Sequence, residues 1–402
     1  TQTLEPIEPV YVSSVDSGNF LCCITALKSG LLKLKGEFQP LGELAGRLQK
    51  IIDETDLSFL YNEKKNLFHI GFSIEDNSLT PSCYDLLMSE ARMTSYFAVA
   101  TGQAPEKHWG ALNRTALRCG RYSGPVSWTG TMFEYYMPHI LFPVYRNSLI
   151  EEALGFCLKM QKKQAEKAGV PFGMSESGYY AFDSGLNYQY KAHGAENLAL
   201  KRSADKETVI SPYSTFLVLP FDAQGAIENL RKLEELGLCG SCGFYEAVDF
   251  TPSRTDSRGM AVVRSFMAHH VGMSILSCAN ALFDGIMQKR FMEDEKMASA
   301  KSLLEEKISD ASTVFEDVQK DNAPVKPDTV HEATGFFSQP NPDNPDVSLY
   351  TNGDWTSVVT SCGNGFSIYT GADITMRSED LRNTPSGVFA FFCCLLYTSD
   401  AA

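Results

Sequence analysis

The chain has 402 residues, of which 44% are hydrophobic and 21% charged, and its formal net charge is −14. This composition is typical of a soluble globular protein, and the length allows about two or three domains. The negative charge argues against nucleic acid or an anionic membrane as the main partner, because both require a basic surface, and no apolar run reaches the roughly 18 residues of a membrane span.

Helical periodicity dominates residues 16–309, where loops containing Gly and Pro separate the helices. Asp16-Ser-Gly-Asn19 is a capping sequence before the first helix. The predicted helices are 20–34, 38–52, 84–101, 131–141, 148–168, 212–219, 223–236, 265–283 and 293–308, with a strand-like piece at 67–73. Helices joined in pairs predict a mainly α fold, an α/α barrel or toroid whose active site lies in the mouth of the barrel.

The remaining segments differ in character. Residues 1–15 form a lead-in, and residues 310–346 are rich in Pro and polar residues, which predicts an extended linker. Residues 347–393 alternate β-like stretches (358–360, 366–370 and 388–392) with Gly-containing turns, and predict the first strands of an incomplete antiparallel β-sandwich domain. Residues 394–402 resemble the translation of a sequencing adapter and are excluded from the fold prediction.

The cysteines and known cofactor motifs indicate neither a metal site nor a cofactor. The chain has 11 cysteines, an odd number without a small-domain framework, which favours reduced thiols in a cytosolic compartment. Cys239-Gly-Ser-Cys242 has no second pair at zinc spacing, so we predict a Gly-rich turn. Dinucleotide, Walker, serine-hydrolase and zinc-protease motifs are all absent from the sequence.

Four glutamates each lie in a short segment with aromatic or other large apolar neighbours: Glu90, Glu134, Glu176 and Glu246. Carboxylates in such surroundings are costly to bury unless they are paired or have a function. Glycosidic-bond chemistry needs a pair of carboxylic acids, and aromatic side chains offer faces for sugar rings. The pattern therefore indicates a carbohydrate-active enzyme.

Glu176 and Glu90 each have a functional and a purely structural interpretation. The neighbouring Gly173 and Gly178 predict that Glu176 lies on a tight turn, where a ligand can reach it, although a solvated surface turn fits the same pattern. Glu90 falls on the predicted helix 84–101, where an ordinary surface glutamate is the simpler explanation.

The other polar candidates are also ambiguous. Glu134 is predicted at a helix start, where the helix dipole favours a carboxylate without any need for catalysis. Glu246 is expected either to bind sugar hydroxyls or to pair with Arg254. His269 and His270 lack a third ligand at metal spacing, so hydrogen bonding to a ligand or to the core is the better interpretation.

Many ordered motifs carry a family resemblance. They include Ser89-Glu-Ala-Arg92, Pro105-Glu-Lys-His-Trp109, Ser127-Trp-Thr-Gly-Thr-Met-Phe-Glu134, Gly173-Met-Ser-Glu-Ser177, Asn187-Tyr-Gln-Tyr190, Gly243-Phe-Tyr-Glu-Ala-Val-Asp249, Thr251-Pro-Ser-Arg254 and Met267-Ala-His-His270. Over residues 10–309 the chain resembles the glycoamylase-like domain of cyclic β-1,2-glucan synthases. Residues 347–393 resemble the start of the phosphorylase-like region that follows this domain.

The resemblance implies an (α/α)6 barrel that cyclises linear β-1,2-glucan by anomer-retaining transglycosylation, with Glu176 as nucleophile and Glu90 as acid/base. The predicted substrate-binding residues are Trp128 as a stacking platform, Glu134, Tyr179, Asp183, Tyr188, Tyr190, Tyr245, Glu246, Arg254, His269 and His270. The implied partners are β-1,2-glucan oligosaccharide or polysaccharide and the glycosyltransferase and phosphorylase-like domains of the same longer chain. The implied location is the cytoplasmic face of the inner membrane, within a larger membrane protein of which this piece is itself soluble.

Two alternatives stay open. One is an inverting endo-β-1,2-glucanase on the same barrel, which differs from a retaining enzyme in the separation of its carboxylates, about 6.5–9.5 Å instead of about 5–5.5 Å. The other is a non-catalytic glucan-binding module, which would need the aromatic residues but not two converging carboxylates.

Overall fold

The computed structural model describes residues 9–36, 38–183, 187–200, 207–255, 259–307, 314–316, 347–351, 354–361 and 364–375. The chain forms two compact units, which divide between Val318 and Gln319. All candidate site residues lie in the first unit.

The first unit contains the described α-helices, α1 to α11. They are α1 (Ser14–Leu34), α2 (Pro40–Glu54), α3 (Arg92–Ala100), α4 (Lys107–Ala111), α5 (Met132–Tyr136), α6 (Leu149–Ala168), α7 (Pro212–Phe216), α8 (Ala223–Glu235), α9 (Ala268–Leu282), α10 (Ile286–Met292) and α11 (Glu295–Ser299). Each predicted helix overlaps at least one of them. The short helices α4 and α10 were not predicted. Helix α10 follows directly after Asp284 and Gly285, whose backbones have the left-handed conformation. Both residues lie between two predicted helices.

Short strands connect these helices in small sheets. They are β1 (Tyr11–Ser13), β2 (Tyr61–Asn62), β3 (Leu67–Phe68), β4 (Gly71–Ser73), β5 (Ser78–Leu79), β6 (Ala116–Cys119), β7 (Tyr122–Pro125), β8 (Glu176–Phe182), β9 (Tyr188–Ala192), β10 (Val209–Ile210), β11 (Cys239–Gly240), β12 (Gly243–Phe244), β13 (Ala247–Asp249), β14 (Ala261–Val263) and β15 (Val314–Glu316). The sheet orders are β1-β4-β5, β10-β13-β14 and β15-β6-β7, and β2-β3, β8-β9 and β11-β12 are hairpins. All pairings are antiparallel except β15 with β6. The first unit is therefore a mixed fold in which helices predominate.

Local signals fix the best predicted helix, α6. The Ser148 side chain caps its start by accepting a hydrogen bond from the backbone of Glu151, and Gly169 ends it in the left-handed conformation. Glycine adopts this conformation without steric cost, which explains why the helix stops there.

The prediction of one helix over residues 84–101 is wrong in its first half, because the helix begins only at Arg92. The preceding backbone pairs with distant segments instead: the Leu87 amide donates to the Asn113 carbonyl at 3.0 Å, and Met88 forms a parallel bridge with Ser127. These long-range bonds satisfy the groups that a helix would have paired locally. Glu90 consequently lies in the turn before α3.

Helix α3 has a fixed position in the core. All its residues from Arg92 to Ala98 are buried, and it contacts α1, α4 and α11. The Tyr96 hydroxyl donates to the Met297 carbonyl at 2.7 Å, and the Tyr96 ring lies 4.8 Å from the ring of Phe142. A buried phenol that keeps its hydrogen bond adds both packing and specificity. The start of α3 is therefore a rigid support for the turn that carries Glu90.

The second unit contains a four-stranded antiparallel sheet in the order β16 (Val347–Thr351), β17 (Trp355–Thr360), β18 (Gly365–Tyr369) and β19 (Ala372–Asp373). The predicted strand at 358–360 is confirmed as part of β17, and the one at 366–370 is confirmed as part of β18 except for its last residue. The predicted strand at 388–392 and the tail 394–402 lie outside the described residues. So does most of the predicted linker, of which the structure describes only β15.

Two further findings concern the described part of the first unit. Cys239 and Cys242 lie on the hairpin β11-β12, which agrees with the Gly-rich turn predicted for this segment. Both are exposed free thiols. Among the described residues, no group of three or more His, Cys, Asp or Glu side chains is arranged to hold a metal ion, and no helix is both long and apolar enough to cross a membrane.

Candidate active site

Glu176 is the first residue of β8 and pairs with Ala192 in the hairpin β8-β9, so the predicted tight turn is wrong. Glu176 is half-buried between the buried Ser175 and Ser177. Gly178 serves close packing and not a turn, because a Cβ atom there would lie 3.3 Å from Cγ of Glu246. The Tyr213 hydroxyl donates to the Glu176 carbonyl at 2.9 Å, which fixes the backbone of this residue.

Glu90 is also half-buried, and a buried arginine holds the turn on which it lies. Arg92 is only 1% exposed. Its Nη1 atom donates to the Ser89 carbonyl at 2.9 Å and to the Glu134 carbonyl at 2.6 Å, and Nη2 donates to the Tyr135 carbonyl. Burial lowers the pKa of the Arg92 guanidinium to about 10, while the charge of Glu90 opposes that shift. Arg92 therefore joins the turn of Glu90 to the first residues of α5.

Tyr190 contacts Glu176, one of the two predicted catalytic residues. It lies on β9 and donates a side-chain hydrogen bond to Glu176. Burial and the negative charges of Glu176, Glu246 and Glu90 raise the pKa of the Tyr190 phenol far above its usual range. The charges of three of the four predicted carboxylates thus act on one phenol.

Glu246 pairs with His270 and not with Arg254, so the second of its two expected roles is wrong. Its Oε2 atom lies 2.9 Å from Nδ1 of His270, and its Oε1 atom accepts the Gly178 amide at 3.0 Å. Glu246 and His270 are 4% and 3% exposed, respectively. The Glu246 carboxylate is therefore occupied by protein donors on both oxygens.

Arg254 belongs to a separate ion-pair cluster behind β8. Its Nε atom lies 2.7 Å from Asp249 and its Nη1 atom 2.6 Å from Glu207. Asp249 also accepts the Tyr180 amide at 3.1 Å. Burial alone would raise the pKa of Glu207, but hydrogen bonds from His193, Lys191 and Arg254 outweigh it and lower that pKa well below its usual range. This cluster holds β8 from the side of β13.

Stacked rings fill the space beside Glu246. The rings of Tyr213 and His270 lie 3.7 Å apart and only 9° from parallel, and the ring of Tyr190 lies 6.0 Å from His270. The ring of His269 is 4.1 Å from that of His270. Removal from water and the neighbouring His270 lower the pKa of His269 to about 4, so His269 is neutral at physiological pH.

Glu134 lies in the first turn of α5, as its sequence position predicted, and Thr131 is the N-cap of that helix. Glu134 forms a capping box with Thr131, and its carboxylate accepts hydrogen bonds from Ser127 at 2.9 Å and from the Thr129 hydroxyl at 2.7 Å. The side chain is only 5% exposed as a residue and shapes the loop between Ser127 and Thr131. Trp128 lies on that loop and is 39% exposed, so its ring is available to a ligand.

The remaining predicted binding residues lie on or beside the hairpin β8-β9. Tyr179 donates to Gln189 at 2.6 Å, and Asp183 accepts the Asn187 amide at 2.8 Å, which closes the hairpin. The ring of Tyr188 packs 4.8 Å from Phe182. Tyr245 lies outside the hairpin, on the segment before β13, and its ring is 5.4 Å from that of Phe266.

Two structurally important residues were not predicted. Tyr213 contacts both Glu176 and His270 but lies 37 positions from the first along the chain, so no spacing pointed to it. Arg92 was part of a recognised motif, yet its burial depends on contacts with residues 42 and 43 positions away.

The Glycoamylase family profile, described as "Putative glucoamylase", matches residues 82–295. That range covers more than half of the chain and includes Glu90, Glu176, Glu246 and His270. The chain belongs to the glycoamylase family.

Individual relatives agree with this membership in the glycoamylase family. The chain is 34% identical over 374 residues to the cyclic β-(1,2)-glucan synthase NdvB of Rhizobium meliloti. That alignment covers 92% of this chain but only 13% of the relative, so the chain spans a small part of that protein's length.

Solved structures share the fold. An endo-β-1,2-glucanase from Chitinophaga pinensis, in complex with sophorotriose and glucose, aligns with a TM-score of 0.54 at 15% identity, covering 73% of this chain and 71% of that one. An endo-β-1,2-glucanase from Talaromyces funiculosus in complex with sophorose also gives a TM-score of 0.54 at 15% identity, covering 75% of this chain and 65% of that one. At such low identity these likenesses establish the fold of the glycoamylase family for this chain and nothing more.

Proposed function

We propose that the first unit acts on linear β-1,2-glucan and closes it into a ring by anomer-retaining transglycosylation. Its 34% identity to a cyclic β-(1,2)-glucan synthase supports this substrate and reaction. The observation that carries the proposal is that Glu90 and Glu176 are both half-buried and that the charge of each raises the pKa of the same phenol, that of Tyr190. Glycoside chemistry requires such a pair of carboxylic acids.

In this proposal Glu176 is the nucleophile. Its carboxylate oxygen attacks the anomeric carbon and forms a glycosyl ester, while the bond from that carbon to the leaving oxygen breaks. Glu90 gives its proton to the leaving oxygen. Glu90 then takes a proton from the incoming hydroxyl of the same glucan, which attacks the anomeric carbon and releases Glu176. The two inversions at that carbon give net retention.

Ring closure needs a glucan hydroxyl, and not water, to be the acceptor. The protein must therefore hold the far end of the glucan near Glu176 until the second step. The exposed ring of Trp128 and the rings of Tyr179 and Tyr188 on β8-β9 are the proposed platforms for that part of the substrate. Glu134, in contrast, is proposed to act indirectly by fixing the loop of Trp128.

The wider context is part of the same proposal. The helices of the first unit form an (α/α)6 barrel, and the second unit is the beginning of a phosphorylase-like domain. A glycosyltransferase domain of the longer polypeptide supplies the linear glucan, and the assembly lies on the cytoplasmic face of the inner membrane.

A second candidate is an inverting endo-β-1,2-glucanase, which the fold shared with two such enzymes favours. The products distinguish the two functions, because hydrolysis creates a new reducing end at each cleavage and ring closure does not.

The test incubates the purified protein with linear β-1,2-glucan and measures both reducing ends and cyclic products. Ring closure predicts cyclic glucan without a gain in reducing ends, whereas a gain in reducing ends would support the glucanase. Unchanged glucan would contradict both and support a binding module. Glu176→Gln and Glu90→Gln should each abolish turnover, and Glu166→Gln, an exposed glutamate on α6, is the matched control.

A further inference from the structure

We propose that Glu246, His270 and Tyr190 form a positioning chain that orients the Glu176 carboxylate, and that Glu246 and His270 do not bind sugar. This inference rests on the proposed nucleophilic role of Glu176. It replaces the substrate-binding roles that the sequence predicts for Glu246 and His270.

The contacts run without a break from Glu246, the residue before β13, to Glu176. Glu246 lies 2.9 Å from Nδ1 of His270, and Nε2 of His270 lies 3.3 Å from the Tyr190 hydroxyl. Tyr190 in turn donates to the Glu176 carboxylate. Glu246 accepts from Nδ1–H of His270, and the single Tyr190 proton is donated to Glu176, so Nε2–H of His270 is the donor to the Tyr190 oxygen.

The positioning chain is also anchored to the strand that begins at Glu176. The second oxygen of Glu246 accepts the Gly178 amide at 3.0 Å, two residues after Glu176. Tyr213 stacks on the face of His270 and donates to the Glu176 carbonyl. The backbone and the side chain of Glu176 are therefore held by the same group of residues.

Burial separates a positioning role from a binding role. Glu246 and His270 are nearly inaccessible to solvent, so a sugar hydroxyl cannot reach them without displacing a protein contact. A buried carboxylate is stable only when it is paired and hydrogen-bonded, and Glu246 satisfies that requirement entirely within the protein. Tyr190 is half-buried, which places it between this interior pair and the reacting carboxylate.

The kinetic test removes one hydroxyl with Tyr190→Phe and compares kcat and KM on linear β-1,2-glucan. Loss of a hydrogen bond to a charged group predicts a kcat about 10- to 100-fold lower. KM should stay within about twofold because the sugar contacts are unchanged. Tyr145→Phe is the matched control, since the Tyr145 ring lies against Lys301 and Tyr145 is not a member of the positioning chain. An unchanged kcat, or a raised KM with normal kcat, would overturn the inference.

A variant of Glu176 separates the two claims. If Glu176→Gln is inactive while Tyr190→Phe has full kcat, the positioning chain is wrong and the nucleophile assignment stands. If Glu176→Gln keeps its activity, the proposed function of Glu176 is wrong.

A spectroscopic measurement tests the positioning chain without any substrate. In protein with ¹⁵N-labelled histidine, Tyr190→Phe should shift the Nε2 resonance of His270, and Tyr145→Phe should not. An Nε2 resonance that is unchanged in Tyr190→Phe would show that His270 does not contact the phenol, which also overturns the inference.

Discussion

Replacement of Arg92 by lysine tests how the turn of Glu90 is held. The substitution keeps the positive charge and most of the length but removes the planar fork. In the native protein that fork reaches the carbonyls of Ser89, Glu134 and Tyr135 at once. A single ammonium group in the same buried position cannot reach all three, so we expect at least two carbonyls to lose their donor.

The magnitude follows from these bonds. A hydrogen bond that involves a charged group contributes about 1.5–3 kcal/mol, and partial relaxation reduces the sum, so the variant should lose about 3 kcal/mol of stability. With a urea dependence of roughly 1–3 kcal/mol per molar, the unfolding midpoint of the first unit should fall by about 1–3 M. The kcat should fall as well, because Ser89 is adjacent to Glu90.

Urea unfolding monitored by circular dichroism measures the first effect, and turnover of linear β-1,2-glucan measures the second. Arg231→Lys is the control, since Arg231 is exposed on α8 and its replacement should change stability by less than about 0.5 kcal/mol. A midpoint for Arg92→Lys equal to that of the control would refute the role given to the buried fork.

Three other predictions concern packing, charge and ligand contact. Gly194→Ala should destabilise the first unit by about 2 kcal/mol or more, since the new Cβ would lie 1.6 Å from the Thr129 carbonyl oxygen. Gly110→Ala is the control, because a Cβ atom at that position would meet open space. The two variants are compared by thermal unfolding. Glu207→Gln should be less stable than wild type at pH 7, because the Glu207 carboxyl has a lower pKa in the folded than in the unfolded protein. That difference stabilises the folded wild type at any pH above the pKa of the unfolded state. The difference in urea midpoint should shrink below about pH 4, and a constant difference would contradict the prediction. Trp128→Ala should raise KM about tenfold with little change in kcat, since covering one aromatic face is worth roughly 1–2 kcal/mol; an unchanged KM would exclude the platform.

Local features of the fold could be predicted from the sequence. Helix α6 has a capping serine at one end and Gly169 at the other, so its boundaries were predicted within one residue. The position of Glu134 in the first turn of a helix was predicted from residues close to it in the sequence. In both cases the signal and the structure it determines lie within a few residues of each other.

Features that depend on distant contacts could not be predicted. Glu246 was expected either to bind sugar hydroxyls or to pair with Arg254, eight residues away, yet it pairs with His270, 24 residues away on α9. Gly178 was interpreted as a turn signal beside Glu176, although its role is to let the Glu246 side chain approach the strand. Nothing in the spacing of these residues distinguishes a turn from close packing, because the deciding atoms belong to another segment.

The most direct test of the central claim is to identify the residue that becomes covalently attached to the glucan. The protein is quenched in acid during turnover of linear β-1,2-glucan, digested, and its peptides are sequenced by mass spectrometry. The proposed retaining mechanism predicts a glucan ester on Glu176 in the wild-type protein and no ester in Glu176→Gln. Cyclic products that form without any ester on Glu176, or with an ester on another residue, would contradict it.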